Sequence, residues 1–405
     1  MLSTRVSLRQ GAVPEGAAGE AEARPEPFLD PAGPARVLGA APVPFGAVEP
    51  LVAGADTLFG PRGAALGPRV DGRSALAVCD TGHHRVLLWR DVPARDHAPA
   101  DLVIGQDGFQ AEGRNGRGRP GPSTVNVPTG VAVQRDLLVV ADAWNHRVLV
   151  WHTLPTRDNA PADVVLGQAD FAGGDPNRGR AEAAADTLNW CYGVSVIDGR
   201  LVVADTGNRR VLVWDEVPRT NGQPADLVLG QGDFAHRDQD AGREADPLGM
   251  RWPHAAAALA GGLYVADAGN NRVLGWSHWP RRNGQWPDLV LGQSDFHGVE
   301  HNRGRYWPDA SALNMPYGLA ATGEWLLVAD TANSRLLGWR VAGAPPPAAA
   351  AGLAGQRAFR DKGDNRWQAP ERDSLCWPYG VSVRDGLAVV ADSGNNRVLL
   401  WGLVA

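Results

Sequence analysis

The residues of this chain that could do chemistry come in sets. An aspartate recurs at Asp80, Asp142, Asp205, Asp267, Asp330 and Asp392, and an arginine follows five residues later each time, at Arg85, Arg147, Arg210, Arg272, Arg335 and Arg397. A carboxylate held beside a guanidinium can move a proton or bind an anion. Here, however, the pair occurs in six equivalent settings, and a residue present once per repeat serves the repeat. Each Asp is expected to accept backbone N–H groups of its own loop and to pair with its Arg. The remaining candidates are thinner. Of the ten histidines, His83 and His84 are adjacent and would face opposite ways on a strand, while His297 and His301 share a Gly-containing loop. A metal centre needs three or four converging ligands, so the reading assigns no metal and no cofactor. Cys79, Cys191 and Cys376 lie far apart, in neither a metal-type spacing nor a disulfide framework. No nucleophile elbow, phosphate loop or dinucleotide fingerprint stands in its proper context. No catalytic residue is assigned, and the balance lies against an enzyme.

The sets exist because the chain repeats. Each Asp belongs to the pattern Val-Ala-Asp-x-x-x-x-Arg-Val-Leu-x-Trp, whose Trp falls at Trp89, Trp151, Trp214, Trp276, Trp339 and Trp401. A second pattern, Asp-Leu-Val-Leu-Gly-Gln, ends at Gln106, Gln168, Gln231, Gln293 and Gln356. Each repeat holds four short Val/Leu-rich runs bounded by Gly, Pro, Asn or Asp. In the second copy they are 130–133, 137–141, 147–151 and 163–166. Such runs read as strands, and the dipeptides Asp198-Gly199 and Gly261-Gly262 read as hairpin turns between the first two. Four antiparallel strands repeated around an axis make an all-β propeller. Five copies have all four runs, and the sixth ends after its third. The missing strand lies at the other end of the chain, where Pro34-Ala35-Arg36-Val37-Leu38-Gly39 resembles Pro99 to Gly105. The expectation is a six-bladed propeller over residues 34–405, with an N-terminal strand completing the C-terminal blade. Residues 1–33, rich in Ala, Gly, Pro and Glu, read as an extended or disordered arm.

Function is sought where the copies differ. The residue after the Pro that opens each inner strand varies in identity but stays polar or aromatic: Arg62, Thr129, Tyr192, His254, Tyr317 and Tyr379. Inner strands border the channel of a propeller, so these six are expected to ring one mouth of it as a candidate ligand site. The loop between Asp and Arg departs from Gly-Asn-Asn in the first two copies, which carry His83, His84, Trp144 and His146. These four are a candidate partner face. Trp144, Trp279, Trp286, Trp307, Trp325 and Trp367 stand outside the repeated Trp position and are the candidate exposed anchors.

Composition narrows the class. The chain has 405 residues and a net charge of -6, which disfavours a general nucleic-acid surface. No run approaches the roughly 18 apolar residues of a membrane span. The first 33 residues contain no apolar core of a secretory signal. A cytoplasmic, reducing setting is the expectation. The patterns at 265–273 and 390–398, with Leu-Gly-Gln-x-Asp-Phe at 166–171 and Leu-Asn-Met-Pro-Tyr-Gly at 313–318, resemble the NHL repeat in its longer bacterial form. That resemblance covers about residues 34–402 and implies a six-bladed propeller. The two loop-lined faces of such a rigid disc, with Trp outside the repeated position, point to a non-catalytic platform for a protein partner, such as a scaffold or accessory subunit. The alternative is an enzyme resembling propeller lactonases and lyases, whose metal sites use acidic or His residues in the channel; the inner positions here hold no acid and one His. RNA binding, known for some NHL propellers, comes third.

Overall fold

The computed structural model describes residues 24–41, 52–68, 72–242, 244–341 and 349–404. Most of the arm, up to residue 23, lies outside them. Among the described residues, six antiparallel four-stranded sheets form the six blades. The second blade is typical: its strands run Pro128–Gln134, Leu137–Asp142, Arg147–Trp151 and Val164–Leu166, in that spatial order. The last sheet contains Pro378–Arg384, Leu387–Asp392 and Arg397–Gly402, and its fourth strand is Arg36–Leu38 from the other end of the chain. The register is antiparallel, with Arg36 opposite Leu400 and Leu38 opposite Val398. Closure in this manner removes the exposed edges an open array of blades would leave.

The core lies in the seams between blades. Trp151 packs with Val86, Leu88 and Ile104 of the blade before it, and Trp214 packs with Val150 and Leu166. Trp89 meets Leu38 and Leu400 across the closing seam. The indole N–H groups of Trp89, Trp151, Trp214 and Trp276 each donate to a carbonyl nine residues on, at 2.9 to 3.1 Å. In the sixth blade Trp401 donates to Asp30 instead, so the incoming chain takes the place of the missing loop. The chain also packs ahead of its first strand. Phe28 is buried, 5.7 Å from the Trp325 ring, in the seam of the fifth and sixth blades, with Leu29 beside it. Residues 24–33 are therefore extended but anchored. Trp325, a candidate exposed anchor, is itself buried there, and Trp279 packs half-buried beside Arg200.

The six Asp/Arg pairs hold each blade to its crossover. Every Arg Nε donates to the Asp Oδ2 at 2.7 to 2.9 Å. Every Asp Oδ1 accepts the backbone N–H of the loop leading into the inner strand, as Asn126 does to Asp142 at 2.6 Å. The far end of the guanidinium donates to two more carbonyls, those of Ala184 and Thr187 in the case of Arg210. The repeated Gln side chains bind the other part of the crossover: Gln168 Nε2 donates to His146 and Asp175 carbonyls. The Asp and Arg groups of the first five blades are buried and paired within the frame, which accounts for them without a substrate.

Candidate functional site: the channel mouth

The six inner-strand residues meet around the channel. Each blade from the second to the sixth has a register shift at this point; Cys191 pairs with Asp205 and Gly193 with Ala204, leaving Tyr192 unpaired between them. Thr129, His254, Tyr317 and Tyr379 fall at the same irregularity. A bulge takes a residue out of the ladder and re-aims its side chain. The glycine that follows lets the next inner strand approach closely: a Cβ on Gly193 would lie 1.9 Å from the carbonyl oxygen of His254.

The side chains form a nearly continuous ring. Centroid separations are 5.0 Å for Tyr192–His254, 4.3 Å for His254–Tyr317 and 4.7 Å for Tyr317–Tyr379, the last two stacked. Arg62 Cζ lies 4.8 Å from the Tyr379 ring and 5.8 Å from that of Tyr192, and so spans the position of the short Thr129. Thr129 itself is buried, and its hydroxyl donates to the Tyr192 carbonyl at 2.8 Å. Burial, reinforced by the Arg62 charge, holds the His254 imidazole down to about 4, so it is neutral near pH 7. Burial also pushes the Tyr317 phenol up. Two cavities share Arg62, Tyr192, His254, Tyr317 and Tyr379. One of about 240 Å³ runs between the inner strands, and one of about 450 Å³ opens on the other side, walled by Trp190, Trp252, Arg209 and Arg237.

A second ring surrounds the mouth, and the sequence reading missed it. The residue immediately before each inner strand is Val127, Trp190, Trp252, Met315 or Trp377, with Gly60 the counterpart in the first blade. Trp190, Trp252 and Trp377 are 49%, 41% and 51% exposed. Gly60, Val127, Trp190, Met315 and Trp377 adopt left-handed backbone, with φ between 47° and 53°. That conformation is unfavourable for large side chains, and acutely so for a β-branched Val. A repeated hydrogen bond holds it. The backbone N–H groups of Val127, Trp190, Met315, Trp377 and Gly60 donate to side chains of the preceding blade: His84 Nδ1, His146 Nδ1, Asn271 Oδ1, Ser334 Oγ and Asn396 Oδ1. The signal was legible as Trp-Cys at 190–191 and Trp-Pro at 252–253 and 377–378, with each Trp two positions before the residue singled out.

The four residues of the candidate partner face differ in exposure. His83 is 1% exposed and hydrogen-bonds Asp80 at 2.8 Å, taking the place that Asn145 and Asn208 fill beside Asp142 and Asp205. His146 is buried against Trp190, its imidazole also held down to about 4 by burial, and His84 is half-buried in the same role. Of the four, only Trp144 stands exposed. Among the other expected anchors, Trp286, Trp307 and Trp367 are exposed as well.

Nucleophilic chemistry finds little support. Cys79 and Cys191 are fully buried with thiols pushed well up by burial, and the Cys376 thiol is pushed up to about 12. Among the described residues, no three His, Cys, Asp or Glu side chains are grouped to hold a metal ion. Nor is any helix there long and apolar enough to cross a membrane. The crossover arginines are partly neutralised, Arg178 by Asp186 and Arg305 by Asp309.

Comparison with known proteins agrees with this architecture. The NHL repeat model matches residues 126–151, which run from the collar through the Asp142/Arg147 pair to Trp151. NHL repeat-containing protein 2 of Homo sapiens is 27% identical over 234 residues, covering 53% of this chain and 30% of the human protein. The Bos taurus protein of that name is 26% identical over the same shares. The chain thus spans less than a third of these curated relatives. Among solved structures, hydrazine synthase of Kuenenia stuttgartiensis overlaps 88% of this chain and 98% of its own, at 11% identity and a TM-score of 0.47, too distant to bear on function. The chain is a six-bladed β-propeller that carries the NHL repeat.

Proposed function

We propose that this propeller is a non-catalytic platform, a scaffold or accessory subunit, that holds a protein partner of the same cytoplasmic compartment on the face around the channel mouth. The observation that carries this reading is the collar. Three tryptophans stand about half exposed around one opening, two of them, Trp190 and Trp377, on left-handed backbone that costs about 1–3 kcal/mol per residue. A rigid aromatic held at such a cost is a suitable interface anchor, because it contributes large contact area with little entropy left to lose. The test is affinity capture of the full chain from its native lysate, beside capture with Trp190→Ala/Trp377→Ala and with Trp286→Ala as a remote control. A stoichiometric protein retained by the chain and the control but lost by the double variant is expected. Equal capture by all three, or a chain that purifies alone with one tightly bound metal ion, would overturn the proposal.

A further inference from the structure

We propose that the cavity above the aromatic ring binds a small organic anion carrying a planar ring, an aromatic carboxylate being the simplest member of the class. Three arginines line this cavity, Arg62, Arg209 and Arg237, and no Asp or Glu does. In a chain of net charge -6 that is a local reversal of sign. The partners of Arg62 and Arg209 are neutral. Arg62 lies over Tyr192 and Tyr379, and Arg209 Nη1 donates to the carbonyls of Gly207 and Arg237. The Nε of Arg209 is buried with no hydrogen-bond partner. A guanidinium stays charged at any ordinary pH, and its forked donors match a carboxylate.

The repeat itself marks Arg209 as an exception. At the other five blade junctions this position holds an acceptor, His84, His146, Asn271, Ser334 or Asn396, which takes the collar N–H of the next blade. Arginine has no acceptor. Accordingly the N–H of Trp252 turns to Asp267 Oδ1 at 3.3 Å, and Trp252 alone among the six collar residues stays out of the left-handed region. One blade has given up the bond that positions its collar, and in exchange a cation lines the cavity. A frame requirement set aside at a single copy, beside a cavity lined by five of the ring residues, points to a ligand.

The walls specify the rest of that ligand. Trp190 and Trp252 form the sides, and the neutral His254, stacked on Tyr317 and tilted against Tyr192, forms part of the floor. Flat π-faces favour a flat guest, and about 450 Å³ lies within the size range of small-molecule sites. The ring of the guest would lie on the aromatic floor with its carboxylate toward the arginines.

The experiment is calorimetric titration of the isolated full-length protein with 2-naphthoate, 2-naphthamide and acetate, in buffer free of other organic anions. Naphthoate is expected to bind saturably. Naphthamide, which lacks the charge, and acetate, which lacks the ring, are each expected to bind at least about tenfold more weakly, the lower end of what a charge-assisted pair contributes. Arg209→Asn installs the acceptor used at the other junctions, so it should fold at least as well as the parent and lose the same factor for naphthoate. Arg62→Met provides a second, independent loss. Naphthamide binding as tightly as naphthoate, acetate matching it, unchanged affinity in Arg209→Asn, or no saturable heat up to millimolar naphthoate would each overturn the proposal. The assay contains no partner protein, so its outcome is separate from that of the capture experiment.

Discussion

At the scale of single residues, the frame is built from buried charges that are fully paired. Arg210 satisfies Asp205 and the carbonyls of Ala184, Thr187 and Phe234 with one fork. Removing it leaves a carboxylate buried without compensation, which is expected to cost about 3–5 kcal/mol in urea unfolding. Arg210→Lys should recover only part of that, because a single ammonium cannot span the loop carbonyls and the Asp together. The histidines around the channel mouth make a different prediction. His146 and His254 are held down to about 4 in the folded chain, against an ordinary value near 6.5. Between those values the unfolded chain binds protons that the folded chain refuses. Stability is therefore present above about pH 6.5 and falls as pH drops toward 4. His146→Asn keeps an acceptor for the Trp190 N–H, as Asn271 and Asn396 do elsewhere. Its melting temperature should match the parent at pH 7.5 and exceed it at pH 5, a divergence that thermal scans at the two pH values would show.

At the scale of elements, the inner strand carries the functional logic of the blade. Its second residue is a bulge, its third is small enough to admit the neighbouring strand, and the residue before it forms the collar. The glycine is required where the approach is tightest. Gly193→Ala would place a methyl against the His254 carbonyl and force the third and fourth blades apart. Gly72→Ala, at a hairpin position with open space around it, carries only the penalty of its own positive φ. Circular dichroism melts should show the larger loss in Gly193→Ala, and the Tyr192–His254 contact should loosen with it. The fourth blade holds Ala255 at the equivalent position, so the requirement for glycine belongs to the individual junction.

At the scale of the whole molecule, closure decides stability. The seams are shared cores, so no blade buries its own apolar face alone, and the disc should unfold as one cooperative unit. Removing residues 1–23 deletes none of the described contacts and should leave the urea midpoint unchanged. Removing 1–30 takes away Phe28 and Leu29, a loss on the scale of about 3–5 kcal/mol for a buried aromatic alone. Removing 1–39 also deletes Arg36–Leu38, leaving Arg397–Gly402 as a bare edge. That last form is expected to lose cooperativity and to associate, which size-exclusion chromatography would detect. Within the arm read from composition as residues 1–33, Phe28 and Leu29 pack into the seam of the fifth and sixth blades.

The architecture was legible in the chain because it is periodic. Six evenly spaced Asp/Arg/Trp sets, four short apolar runs per set and one missing run matched at the N-terminus leave a closed six-bladed ring as the solution that pairs every strand. The ring of Arg62, Tyr192, His254, Tyr317 and Tyr379 was legible for the same reason, as a variable position at a constant place in the repeat. What only the folded molecule decided are the relations between neighbouring blades. His83 resembles an exposed variant in a loop, yet in three dimensions it substitutes for a buried Asn beside Asp80. His146 and Trp190 lie 44 residues apart, and only their hydrogen bond reveals that one positions the other. Arg209 looks like one more charge in a turn, and its significance appears only when the five acceptors that it replaces are seen to point at the next blade. Periodicity along the chain specifies what every blade shares; contacts across the seams decide what a single blade is free to change.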